Sequence, residues 1–353
     1  MKKITLLLLT LFASITLFAC EQKTKLYVLN WGEYMDYDLI SAFEDEYGVD
    51  VVYKEVGSNE EMATLLQAGS SVYDVVIPSD YMIDKLIQED LIQPIDFTKL
   101  TNFENLEVIP TLYNLYSGTG IEDYVVPYAW GTIGILYNTN VDGLAEMLAD
   151  EGWGAMFEHG DTYKVGMYDS PRDAVAAALL YNGYNVNSEV TSELDAAEQS
   201  LIDANFFAWG EDNLKSLVIQ GVLDMALVYS GDYFSEYYIA DEEGTTINFD
   251  YYVPDTTNVW MDAMVIPTIA EHVDLAHEFI NFFLREDVAL QNSDYIGYAP
   301  CYQVIYTQMV DDYGYDFDTF DPFPEGTTRQ MYVYGSTERS DALVSIIARA
   351  KAA

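Results

Sequence analysis

The sequence predicts an α/β fold in two lobes, built from largely parallel sheets with short helices between the strands. Three observations lead there. Strand-like runs alternate with segments of helical spacing, first from Leu26 to Gln88 and again from Lys164 to Leu284. The 353 residues suffice for roughly two domains of about 150 residues, each with its own core. No repeat, low-complexity tract or long linker separates the two series, so ordered crossings join them.

Leu26 to Trp31 is a β-rich run, and Tyr37 to Tyr47 carries Leu39, Ile40, Phe43 and Tyr47 at helical spacing until Gly48 stops it. Val49 to Val56 is a second strand. Ser58 and Glu61 form a capping-box pattern for a helix reaching Gly69. Strand Tyr73 to Ile77 and helix Tyr81 to Gln88 follow, with Asp80 placed as an N-cap. Ligands of such sheets lie off the carboxyl ends of the strands, where Asn30 to Tyr34 and Pro78 to Tyr81 fall. Tyr124 to Tyr128 and Gly131 to Tyr137 read as strands passing to the next unit. Lys164 to Tyr168 is strand-like, Pro171 opens a helix through Ala174 to Tyr181, and Leu223 to Tyr229 is a buried strand. Phe249 to Val253 and Val259 to Ile266 are strands of unassigned sheet, before a helix over Val273 to Leu284.

The N-terminus reads as a processing signal. Lys2 and Lys3 precede an apolar run, Ile4 to Phe18, too short to span a bilayer comfortably but suited to a signal peptide over residues 1–19. Leu17-Phe18-Ala19-Cys20 resembles the bacterial lipoprotein box, which makes Cys20 the lipidation site and residues 20–25 a tether. The expected product is a globular body anchored by acyl chains at the outer face of a membrane. Cys301 is then left without an internal disulfide partner, so burial must stabilise the fold.

Fifty-nine acidic against 15 basic residues give a formal charge of −44, which excludes a nucleic-acid binder working by phosphate neutralisation and points to cationic partners. The three histidines, His159, His272 and His277, lack metal-ligand spacing, and each is expected at the surface. The nucleophile elbow and the phosphate-cradling glycine loop are missing, so neither catalysis, a cofactor nor a metal is expected. What stands out is acid beside aromatic at strand ends: Glu33 with Trp31 and Tyr34, Asp80 with Tyr81, Asp262 with Trp260. An ammonium entering a cleft loses hydration and needs a carboxylate, while aromatic rings attract the cation and pack on its methylenes.

Taken in order, Asn30-Trp31-Gly32-Glu33-Tyr34, Tyr73 to Tyr81, Pro127-Tyr128-Ala129-Trp130-Gly131, Trp260-Met261-Asp262, Phe279 to Arg285 and Ile296-Gly297-Tyr298 resemble segments of one family. It is the spermidine/putrescine-binding proteins, extracytoplasmic solute receptors of polyamine ABC transporters. The resemblance implies a two-lobed periplasmic-binding-protein-like α/β fold of type II with the ligand cleft between the lobes. Lobe 1 would hold residues 26–127 and 259–301, and lobe 2 residues 128–258 and 302–353. It further implies that Trp31, Glu33, Tyr34, Ser79, Tyr81, Trp260, Asp262 and Tyr298 line the cleft. Glu33 and Asp262 would hold separate nitrogens, with Trp260 against the carbon chain between them. Asp169 to Asp173 resembles the family's acidic pair on the second lobe, with Ser170 where an aspartate is common and Asp173 where a glutamate is common. Gly32 and Tyr229 also depart from the pattern, standing for a frequent threonine and tryptophan. Losing one acid and one hydroxyl favours a ligand with fewer nitrogens, such as putrescine, unless water or Asp80 compensates.

The expected function is therefore a monomeric receptor that closes on a polyamine and delivers it unaltered to the permease subunits of an ABC transporter. Three rivals stand beside it. A ferric-ion receptor could use Tyr237-Tyr238 or Tyr251-Tyr252, although 30 tyrosines give about 2.5 adjacent pairs by chance, against the two present. A carbohydrate-active enzyme could use two carboxylates in an acidic aromatic cleft. A surface sensor or adhesin could keep the fold without transport.

Overall fold

The computed structural model describes residues 23–69, 72–314 and 326–353. The signal segment and Cys20 lie outside them. The first sheet begins with β1 (Lys25–Trp31), β2 (Asp50–Val56) and β3 (Val75–Val76), all parallel in the order β2-β1-β3. Helices Tyr37–Tyr47 and Asn59–Ala68 connect them as expected of βαβ units. Their ends follow from local chemistry. Asp36 accepts the Asp38 N–H and Gly48 turns left-handed at φ 67°, while the Ser58 hydroxyl accepts from the Glu61 N–H and Gly69 closes the second helix. The two residues of β4 (Ile92–Gln93) lie beyond.

The chain crosses to the second lobe through β5 (Val126–Gly131) and β6 (Ile133–Asn138), both buried along their whole length. There β7 (Val165–Tyr168), β8 (Ala208–Gly210), β9 (Met225–Tyr229) and β10 (Phe249–Tyr252) join β6 in the order β10-β6-β9-β7-β8. The return strand, β11 (Thr256–Met264), pairs antiparallel with β5 and bridges to Ser79. Near it, β12 (Ile266–Pro267) pairs with β4, β13 (Ala299–Pro300) with β5, and β14 (Thr328–Met331) runs parallel to the start of β11. The open assignment of the late strands is thereby resolved: Phe249–Tyr252 belongs to the second-lobe sheet, and β11 joins β13, β5 and β14 in a sheet of their own that bridges to the first at Ser79.

Strand pairing shows how the sheets are joined. β5 is hydrogen-bonded to β11 and β13, and Thr132 separates it from β6. Helix Gln303–Tyr313 packs on β13 and on helix Glu286–Ile296, beside the first sheet, whereas helix Thr337–Ala350 packs on Pro171–Tyr181 and Thr191–Asp203 in the second lobe. His277 is corrected, since it is 2% exposed rather than at the surface. Its Nε2 accepts from the Asp96 N–H, so its Nδ1 donates to the Val273 carbonyl and the ring is a neutral core group. Asp74 is likewise structural, accepting N–H bonds from Tyr27, Glu271 and His272.

The lobes meet closely where Gly231, at the start of helix Ser230–Glu242, passes the Tyr298 ring without room for a Cβ. Gly231→Ala must therefore displace the ring or the helix. The expected cost is about 1–3 kcal/mol of stability, read by urea denaturation.

Candidate ligand-binding cleft

Between the two sheets lies a cavity of about 540 Å³, within the range of small-molecule sites. It opens at the carboxyl ends of β1, β7 and β9, whose last residues are Trp31, Tyr168 and Tyr229. All twelve candidate side chains line it: Trp31, Glu33, Tyr34, Ser79, Asp80, Tyr81, Ser170, Asp173, Tyr229, Trp260, Asp262 and Tyr298. Residues absent from the sequence-based set also line it, chiefly Tyr168, Arg172, Lys215, Asp232 and Tyr332. Tyr168 and Asp232 could have been sought beside strand ends, but nothing local marks Tyr332, which enters from beyond β14.

The turn after β1 is held by its backbone. Asn30 and the Tyr128 hydroxyl both donate to the Tyr34 carbonyl, and Glu33 adopts a left-handed φ of 52°. Glu33 is thus placed at the exposed rim while Tyr34 turns inward. Ser79 is tied to Asn59 in both directions, its N–H donating to the amide oxygen and its Oγ accepting from the amide nitrogen. Ser79 takes the N-cap position expected for Asp80, which instead is the first residue of helix Asp80–Gln88 and accepts its Tyr81 N–H. Ser170 caps its helix as expected, accepting from the Asp173 N–H.

One wall is a run of rings in edge-to-face contact. Tyr34 meets Tyr298 at 5.6 Å, Tyr298 meets Trp260 at 5.1 Å, Trp260 meets Tyr229 at 6.0 Å, and Tyr229 meets Tyr168 at 5.1 Å. Such a wall packs against methylenes and presents negative ring faces to a cation.

The carboxylates differ in how far they are already engaged. Asp173 has both oxygens occupied by the hydroxyls of Tyr229 and Tyr332, at 2.8 and 3.1 Å, with Arg172 3.8 Å away. Arg172 lays its guanidinium 3.6 Å above the Tyr81 ring, joining the second lobe to the first. Asp262 and Asp80, by contrast, each keep one buried oxygen without a hydrogen-bond partner. Trp31 Nε1 and Trp260 Nε1 are also buried and unpartnered, and both line the same cavity. Buried polar atoms are rarely left so, and their concentration here marks a surface built to meet a polar ligand. Burial pushes Asp262 up to about 6 and Asp80 well above the ordinary range, with Arg172 opposing both shifts.

Fold and cleft together define a two-lobed binding protein with its cavity between the lobes. The chain belongs to the bacterial extracellular solute-binding proteins, whose family model matches residues 38–314. It is 33% identical over 282 residues to the spermidine/putrescine-binding periplasmic protein of Escherichia coli, covering 79% of this chain and 78% of that one. With the putrescine-binding periplasmic protein SpuD of Pseudomonas aeruginosa it shares 31% over 307 residues, 83% of each. Among solved structures, the spermidine/putrescine ABC transporter substrate-binding protein PotD of Streptococcus pneumoniae superposes with a TM-score of 0.77 at 30% identity, covering 93% of this chain and 99% of that one.

The raised Asp262 fixes the sign of a pH effect on the ligand-free protein. The fold favours the protonated acid, so the associated stability is full below about pH 4 and is lost as pH rises through about 6. Asp262→Asn removes the burden, so its gain over the unmodified protein should grow from pH 5 to 7.5, up to roughly 3 kcal/mol. Thermal melts at both pH values check this, and a gain independent of pH contradicts it.

Proposed function

We propose that this protein captures a linear polyamine outside the membrane and passes it unchanged to an ABC permease. The observation that carries the proposal is the buried Asp262 carboxylate, with an open oxygen beside a wall of aromatic rings. An ammonium can pair with that oxygen while its methylenes cover Trp260 and Tyr298, which replaces the hydration lost on entry. Spermidine and putrescine, for which the relatives are named, have this chemistry. In this reading Asp262 and Asp80 anchor an ammonium inside, Glu33 receives charge at the rim, and Asp173 acts through Tyr229 and Tyr332. No step of bond making is assigned to the cleft. The iron reading loses its ligands, because neither tyrosine pair lines the cavity and Tyr251 stacks on Tyr233 in the second-lobe core. Titration calorimetry with putrescine, spermidine and spermine tests the proposal, and Asp262→Ala should weaken binding by about 2–5 kcal/mol. A loss of less than about tenfold, or the absence of heat with all three amines, overturns the assignment.

The lipid anchor at Cys20 belongs to the same proposal and places the receptor at the membrane surface, beside its permease. Cys20→Ala should move the protein from the membrane fraction to the soluble extracytoplasmic fraction, measured by fractionation and immunoblotting.

A further inference from the structure

We propose, resting on the polyamine reading above, that Lys215 is a resident competitor for one ammonium subsite and so sets the cleft for diamines over triamines. Lys215 stands on helix Asn213–Ile219 and lines the cavity, and its Nζ donates to Asp232 Oδ1 at 3.0 Å. Asp232 Oδ2 accepts the Tyr229 N–H at 3.3 Å, so the lysine occupies the oxygen that faces away from the backbone cap. Asp232 is itself 7% exposed, and burial pushes its carboxyl up to about 6 despite the lysine. A buried acid of this kind is a strong acceptor for whichever ammonium reaches it.

The position of Asp232 relative to the ring wall gives the pair its consequence. Gly231, the residue before Asp232, lies against the Tyr298 ring, and that ring meets Trp260, two residues from Asp262, at 5.1 Å. A carbon chain anchored at Asp262 and running along Tyr298 therefore heads toward Asp232. There it meets an ammonium on a four-carbon stem, chemically half of a diamine, already held by the chain itself. An intramolecular competitor of this type acts at high effective concentration. With Asp173 closed by two tyrosines and Asp232 by Lys215, the buried acids left with an open oxygen among the described residues are Asp80 and Asp262. A ligand nitrogen that reaches this end of the ring wall gains the Asp232 carboxylate by displacing Lys215, whose side chain is 24% exposed and can move to water.

The test is calorimetry with putrescine and spermidine on the full mature chain and on Lys215→Met. The variant should raise spermidine affinity relative to putrescine at least tenfold, and Lys215→Met with Asp232→Asn should return the ratio to the parent value. Lys215→Arg, which keeps the charge, should leave the ratio unchanged. A bridge that merely stabilises the fold would lower the melting temperature of Lys215→Met with the ratio shifted less than tenfold, which overturns the inference while leaving polyamine binding intact. Absence of heat with every linear amine in the parent overturns the polyamine reading, and this inference with it. Should Lys215→Met not fold, lysine acylation of the parent decides: spermidine should increase labelling of Lys215 and putrescine should not. Equal labelling with both amines refutes displacement.

Discussion

The cost of keeping carboxylates dry governs this molecule. Acids are abundant on its surface, where water solvates them, but Asp80, Asp173, Asp232 and Asp262 are buried around one cavity. Each must be protonated, paired or hydrogen-bonded, and the structure uses different answers at neighbouring positions. Tyrosine hydroxyls satisfy Asp173, a lysine satisfies Asp232, and Asp80 and Asp262 retain unmet capacity. That inequality separates acids that shape the cleft from acids free to bind within it.

The surrounding fold maintains the inequality by tying backbone groups with buried polar side chains. The turn carrying Trp31 to Tyr34 is secured from Asn30 and Tyr128, and Asn292 in turn donates to the Tyr128 hydroxyl. At the crossing, Asn258 accepts the Ile133 N–H and the Thr257 hydroxyl donates to its carbonyl, so two buried strands change sheets without orphaning their peptide groups. A cleft assembled on such supports keeps its ring geometry without a ligand to template it.

Much of this was legible in the sequence because the informative features are local. Periodicity placed the βαβ units, and an acid beside an aromatic pointed to Glu33, Asp80 and Asp262 as cleft residues, although Asp262 lies within β11 rather than at its end. What escaped depends on distance along the chain. The Tyr332 to Asp173 hydrogen bond spans 159 residues, and the Arg172 stack on Tyr81 forms only when the lobes face each other. Asp173 consequently reads as a free ligand acid in sequence and as an engaged one in space. His277 shows the same limit: its polarity suggested the surface, yet the Asp96 N–H and the Val273 carbonyl supply both partners its ring needs inside.

Trp260 and Asp262 stand midway along β11, the strand that reconnects the halves. From Trp260 onward β11 is hydrogen-bonded to β5, so both groups are seated on a continuous, buried sheet that faces the flank running from Tyr168 to Asp173 across the cavity.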